Sequence, residues 1–219
     1  MTIPGENVII GYCDAAAAGV RLLQHVRGSE SAIDSTLSIL DVPVLIRTFG
    51  NVSLLIIRDV VADDKATLFA AELTDLLIGK KVVLLTAPNV PMTTREEECV
   101  FWTQYSSTKK LIGLPENVFQ PIPLEKWTLK DAFLCSCLHF FQVEMLSLTI
   151  LLVRGYKYTG RTSDGTSECI IKLSQALPLV LDALQLSTTF KIDAKSASVM
   201  KMLTMAQNIT TTPSTLLYN

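Results

Sequence analysis

Apolar residues in this chain fall into two kinds of grouping, short unbroken runs and stripes that return every three or four positions. The run Val8-Ile9-Ile10-Gly11-Tyr12 is uncharged and only one strand long, which predicts a strand buried on both faces. An alanine-rich stretch at 15–26 follows. Alanine is the strongest helix former, Asp14 stands where a cap belongs, and Gly28 stands where such a helix stops. Residues 37–42 and 44–49 predict strands separated by Pro43, and Gly50-Asn51 predicts a tight hairpin into a return strand at 52–60. A hairpin makes that part of the sheet antiparallel. Phe69, Leu73, Leu76 and Leu77 then share one helical face, in a helix that starts at Asp63 or Asp64 and ends at Gly79. Residues 81–86 (KVVLLT) predict another buried strand.

In the second half, 100–105 is a weaker strand candidate, because Phe101 and Trp102 fit either element. Residues 106–127 contain Pro115, Pro121 and Pro123 and predict a long surface loop. Residues 128–131 form a capping box with Asp131 as a shortened acid, and Leu134, Leu138, Phe141 and Met145 make the stripe of the helix behind it. A buried strand is predicted at 148–153, and a polar loop at 154–165. Ile170, Leu173, Leu177, Leu181 and Leu184 form a long stripe that Pro178 should kink or break. A last helix is capped by Asp193, carries Val199, Met202, Leu203 and Ala206 on one face, and closes at Asn208. The alternation of strands and helices predicts a single α/β domain over 1–207, a mixed sheet flanked by helices, with a flexible tail at 208–219.

Composition adds a partner to this picture. Hydrophobic residues make up 49% of the chain and charged residues 18%, with a mean hydropathy of +0.37. That is more apolar surface than one domain needs to bury, so a further covered face is expected, most simply against another protein. The net charge of -2, with only the isolated pairs Lys80-Lys81 and Lys109-Lys110, gives no footprint for nucleic acid. The longest apolar run, 146–153, is far short of the ~20 residues a membrane helix needs. No basic-then-apolar signal opens the chain. Five cysteines, an odd number, argue for reduced thiols and place the chain in the cytoplasm or nucleus.

Candidate chemistry is sparse. Cys13 lies between a strand and a helix start, where a nucleophile would gain from the helix field. A small cytosolic α/β enzyme with a Cys13 nucleophile is therefore the alternative reading. Its weakness is the base, since His25 lies about three turns away along the same helix and His139 lies in another. Cys135 and His139 share a helical face while Cys137 points elsewhere, a poor zinc set. The stretch 11–19 (GYCDAAAAG) is not a phosphate loop, and no G-x-S-x-G elbow occurs. Asp63-Asp64 and Glu96-Glu97-Glu98 read as solvated charge. No cofactor, metal or catalytic residue is predicted.

The end of the chain is different. Thr210 to Thr215 is polar, β-branched and carries Pro213, a composition that favours an extended tail. It then ends in Leu217-Tyr218-Asn219, apolar groups placed where no core covers them. Such a terminus suits insertion into a partner's pocket, with its carboxylate against a cation. It resembles the hydrophobic-tyrosine-any ending with which proteasome activators and assembly chaperones dock into the α-ring of the 20S core. The strand Val8-Ile9-Ile10 with its alanine-rich helix, the hairpin with Asn51-Val52-Ser53, the run Val82-Val83-Leu84-Leu85-Thr86, the helix at 132–141 and the strand at 148–153 follow in the order of the proteasome assembly chaperone 1 family, and the chain is similar to that family on this order and ending. The resemblance implies a non-catalytic scaffold. It would pair with a chaperone 2-like subunit and dock on 20S α subunits, with no nucleic acid and no membrane involved. Leu217 would be its apolar anchor, Tyr218 would fill the pocket and offer its hydroxyl, and Asn219 would contribute only its carboxylate.

Overall fold

The structure is a computed structural model that describes residues 2–28, 31–90, 92, 94–106, 111, 113–123, 127–155, 165–186 and 190–195. The elements in chain order are β1 (Asn7–Tyr12), α1 (Ala18–Gln24), β2 (Val26–Gly28), β3 (Ile33–Ile39), β4 (Val42–Phe49), β5 (Val52–Ile57), α2 (Asp63–Leu77), β6 (Lys81–Thr86), α3 (Thr94–Glu97), β7 (Val100–Tyr105), β8 (Phe119–Pro121), α4 (Ala132–Val143), β9 (Ser147–Leu152), α5 (Gly165–Ala183) and β10 (Phe190–Ile192). Eight strands form one sheet in the order β3-β4-β5-β1-β6-β9-β7-β8, and β10 pairs with β2 beside it. The centre, β5, β1, β6 and β9, is parallel. Antiparallel β4 and β3 extend one side, and β7 runs antiparallel to β9 on the other.

The unbroken apolar runs are explained by burial on both faces, as expected for parallel strands covered by helices. Ile9, Leu54, Val83, Leu85 and Leu151 face one layer with α1 and α5. Their neighbours Val8, Ile10, Leu55, Leu84 and Ile150 face the other, with α2 and α4. Each such side chain contributes about 1.5–3 kcal/mol on full burial. On the first face, α1 lies almost on the sheet. A Cβ on Gly11 would meet the Gly19 carbonyl carbon at 2.6 Å, so glycine at both positions permits that approach.

The architecture is the mixed-sheet α/β domain predicted, but several boundaries move. Helix α1 begins at Ala18, not at residue 15, because Ala17 adopts the left-handed conformation (φ 50°). Asp14 does not cap it: no side chain caps α1, and the Asp14 carboxylate takes the amides of Ala16 and Ala17 before the helix starts. Gly28 lies in β2, not at a helix end. The break between β3 and β4 is not Pro43, which sits inside β4, but Leu40-Asp41, both left-handed (φ 48° and 68°). Asp131 is itself the N-cap of α4, accepting the Leu134 amide at 2.8 Å, so the helix starts later than the predicted capping box. Met145 falls beyond α4 and is exposed rather than on its buried stripe. Strand β8 lies inside the predicted proline-rich loop. Helix α5 continues through Pro178 to Ala183 without ending there.

Candidate functional site

Leu217, Tyr218 and Asn219 lie outside the described residues, as do Val199, Met202, Leu203 and Ala206 of the predicted last helix. The structure does fix where that segment departs. Strand β10 is held against β2, and Phe190 packs on Phe49 with ring centroids 5.4 Å apart. Described residues end at Lys195, and the remainder could reach at most about 80 Å if fully extended.

The densest polar site among the described residues lies at the carboxyl ends of β1 and β6. The chain leaves β1 over one face through α1, whereas α4 leads into β9, the other neighbour of β6, over the opposite face. Open α/β sheets hold ligands in a crevice at such a reversal. Here the chain's own carboxylate fills it. Asp14, 3% exposed, accepts from the amides of Ala16 (3.3 Å), Ala17 (2.9 Å) and Ala87, and from the Thr86 hydroxyl (3.1 Å). Gly155 closes over Ala87: a Cβ there would overlap the Ala87 carbonyl, and its amide donates to the Pro88 carbonyl at 2.9 Å.

The network continues to α4. The Tyr12 hydroxyl lies 3.1 Å from Thr86 Oγ1 and donates to Asp131 Oδ2 at 3.2 Å. Four oxygens thus stand in a row, and two hydroxyl hydrogens serve their three contacts while both carboxylates are charged. Thr86 spends its hydrogen on Asp14 and Tyr12 spends its own on Asp131, which leaves none between the two hydroxyls. A proton on Asp14 supplies the missing one. Burial pushes the Asp14 carboxyl up to about 6, against the lowering effect of its hydrogen bonds from Ala87 and Thr86. Burial first, and then Asp14, raise Tyr12 well above the ordinary phenol value, so its hydroxyl stays protonated.

Cys13 shares this environment and is unsuited to nucleophilic work. Burial, followed by the negative charges of Asp14, Asp59 and Asp131, pushes its thiol up to about 12. Every one of these influences opposes the thiolate. Cys137 is likewise buried and raised, while Cys135 and His139 stand on the exposed side of α4, as their helical spacing predicted. Among the described residues no three His, Cys, Asp or Glu side chains could hold a metal ion. All five cysteines are free. With a thiol reagent at mildly alkaline pH, the folded protein is expected to label at Cys135 and to resist at Cys13 and Cys137, read by peptide mass spectrometry. Labelling of Cys13 ahead of Cys135 would restore it as a reactive residue.

Beyond this network, several large apolar side chains are exposed around α2 and α4. Helix α4 carries no charged residue, and packs beside α2 with Thr67 and Ser136 in contact at 3.4 Å. Leu68 and Ile78 of the α2 region and Val143 and Met145 at the end of α4 are each more than half exposed. An apolar cavity of about 60 Å³ lies between α4 and the sheet, lined by Ile122, Trp127, Leu129, Leu134 and Leu138. No described helix is long and apolar enough to cross a membrane.

The sequence placed Asp14 at the end of β1 but missed Thr86 and Asp131 as its network partners. The available signal was weak: an acid directly after one fully apolar strand and a threonine at the end of another. No protein-family model matches the chain, and no curated protein matches it in sequence. Solved structures do. A Thermoplasma acidophilum protein of unknown function superposes with a TM-score of 0.59 at 12% identity, over 95% of this chain and 86% of that one. PbaB of Pyrococcus furiosus, an archaeal proteasome activator, gives a TM-score of 0.58 at 12% identity, over 95% of this chain and 92% of its own. PbaA of the same organism, an archaeal homolog of proteasome-assembly chaperone, gives 0.51 at 12% identity, over 96% and 86%. At that identity the likeness is one of fold: this chain is built like an archaeal proteasome activator and an archaeal homolog of proteasome-assembly chaperone.

Proposed function

We propose that this protein is a non-catalytic proteasome assembly chaperone. It pairs with a related chaperone 2-like subunit and promotes assembly of the 20S α-ring in the cytoplasm or nucleus. It docks by inserting Leu217-Tyr218-Asn219 between α subunits. The observation that carries this reading is the coincidence of two independent features: a fold shared with PbaB over 95% of the chain, and an apolar-tyrosine-any ending on that same chain. An ending of that form arises by chance in about one or two chains in a hundred. The apolar residues exposed around α2 and α4 support a covered face for the second subunit, since patches of this kind mark protein contacts. The raised Cys13 thiol disfavours the enzyme reading.

The test is purification of the tagged full-length chain from cells, with bound proteins identified by mass. The expected result is recovery of 20S α subunits together with one chaperone of related fold in equal amount. Cys13→Ala should recover the same set. Recovery without α subunits, or loss of them in Cys13→Ala when the protein remains folded, would overturn the reading.

A further inference from the structure

We infer that the row Asp14, Thr86, Tyr12 and Asp131 is a proton-operated latch: with three hydrogens between its four oxygens it ties residues 127–130 to the sheet, and with two it lets them go. This goes beyond the proposed function and does not rest on it. The row runs from the loop after β1, through the ends of β6 and β1, to the N-cap of α4, by contacts of 3.1, 3.1 and 3.2 Å. Each contact needs one hydrogen, because facing oxygen lone pairs repel at that distance. In the loaded row the Asp14 carboxyl donates to Thr86, Thr86 to Tyr12, and Tyr12 to Asp131. After the proton leaves, Thr86 turns its hydrogen to the Asp14 carboxylate, and Tyr12 can serve Thr86 or Asp131 but not both.

The surroundings of the row decide which contact opens. Asp14 is fixed by the amides of Ala16, Ala17 and Ala87. Tyr12 and Thr86 end neighbouring strands of one parallel ladder, in which Gly11 is paired with Leu85. These three groups are buried and held in place, so a missing hydrogen among them has no replacement. Asp131 is only partly buried and can take water instead. The titratable groups beside the row are Cys13 after β1, Asp59 after β5 and Cys137 of α4. The charges that bear on it, from Asp14, Asp59 and Asp131, are all negative, so the two ends of the unloaded row repel. Tyr12 therefore turns to Thr86, and the break falls between Tyr12 and Asp131.

What Asp131 holds is local. The body of α4 stays, since Phe133, Leu134, Cys137 and Phe141 are buried, and Phe133 sits edge-on to Tyr12 and Phe69 at 5.0 and 5.3 Å. Residues 127–130 belong to no helix or strand. Besides the Tyr12 tie, Trp127 rests on Phe101 with ring centroids 4.6 Å apart, and the Cys135 thiol meets the Leu129 carbonyl at 3.6 Å. Trp127 and Leu129 also wall the apolar cavity beside α4, which Thr86 lines from the sheet. Release of the segment opens that cavity to solvent.

Trp127 reports the latch directly. In a Trp102→Phe background of the full chain it is the sole tryptophan. The Asp14 carboxyl titrates at about 6, so roughly ten molecules in eleven keep the proton at pH 5 and roughly one in eleven at pH 7. Trp127 emission should shift to the red, and acrylamide quenching should rise, with a midpoint near 6. Asp14→Asn supplies the third hydrogen from its amide at every pH and should hold the low-pH signal throughout. Thr86→Val interrupts the row, so Tyr12 keeps Asp131 and the signal should again stay at its low-pH value, although Asp14 still titrates. Tyr12→Phe keeps the ring on Phe133 and removes the tie, so the high-pH signal should appear at every pH. Should Trp102→Phe fail to fold, fluorine NMR of the parent chain labelled with fluorotryptophan reads the same change, with Trp102 as the fixed reference. A flat Trp127 signal from pH 5 to 8 in the folded parent, a transition that persists in Asp14→Asn or Thr86→Val, or a Tyr12→Phe protein that still titrates would each overturn the inference.

Discussion

Replacing Asp14 by asparagine is expected to remove a loss of stability with rising pH rather than simply to weaken the fold. The Asp14 carboxyl titrates at about 6 when folded, against 3.8 for an ordinary aspartate. The folded state therefore holds more protons than the unfolded state between those values. Its contribution is fully present below about 4 and is lost as pH rises through about 6, by about 3 kcal/mol for a shift of this size. The cause is physical: a charge 3% exposed has lost its water, and only the hydrogen bonds from Ala16, Ala17, Ala87 and Thr86 replace it. Asparagine keeps the shape and has no charge to bury, but its amide nitrogen confronts the Ala87 amide, two donors face to face. That costs about 1–3 kcal/mol at any pH. Near neutral pH the two effects offset each other, so Asp14→Asn should lie within about 2 kcal/mol of the parent. Near pH 4 it should be the less stable protein by about 3 kcal/mol more. Asp34 titrates the opposite way, since its bond to Arg47 holds its carboxyl below the ordinary range, but it is common to both proteins and cancels in the difference. Asp14→Ala takes the acceptor from the Ala16 and Ala87 amides, while the Ala17 amide keeps the main-chain carbonyl of residue 14 at 3.3 Å, and should lose about 3 kcal/mol at neutral pH. Urea unfolding of the three proteins at both pH values reads all of this. A parent whose stability relative to Asp14→Asn is the same at pH 4 and 7 would mean that Asp14 is not protonated in the folded state near 6.

What the sequence could and could not show follows from the range of the interactions. The central strands were legible because burial on both faces leaves unbroken apolar runs, as in 81–86 (KVVLLT). The β4–β5 hairpin was legible because Gly50-Asn51 is a local turn signal. The start of α1 was not, since an alanine run favours helix at every position and nothing local marks the left-handed turn at Ala17. Strands β2, β8 and β10 have three residues each, too few for any period to declare itself. The polar network was illegible for another reason. Its links join residues 72 and 119 positions apart, and no spacing rule connects Asp14 to Thr86 or Tyr12 to Asp131. The composition did anticipate apolar surface, and the exposed Leu68, Ile78, Val143 and Met145 are where it appears among the described residues.

The terminal tripeptide should fail in graded fashion when its parts are removed one at a time. Tyr218→Ala takes away the ring and its hydroxyl together, and truncation of a buried aromatic anchor costs about 2 kcal/mol or more, roughly a thirtyfold loss of affinity. Leu217→Ala removes a smaller apolar group and should cost on the order of 1 kcal/mol. Asn219→Ala should be nearly silent, because on this reading only the main-chain carboxylate is used. Adding one residue after Asn219, or amidating its carboxylate, should weaken binding, since the charge is displaced from its cation or lost. On the docking reading folding should be unchanged in all four, since α5 and Phe190 of β10 pack into the core on the α1 face of the sheet. Affinity for the 20S core particle or its α-ring precursors is the measurement. It must be made both with and without the second chaperone, because two tails acting together would hide the loss of one behind avidity. If extension of the terminus leaves binding unchanged while Tyr218→Ala unfolds the domain, the tail packs on its own chain and the docking reading is wrong. If Asn219→Ala hurts as much as Tyr218→Ala, the terminus is read as a side-chain sequence rather than as an apolar-tyrosine anchor with a free carboxylate, and the pocket it fills is not of the proposed kind.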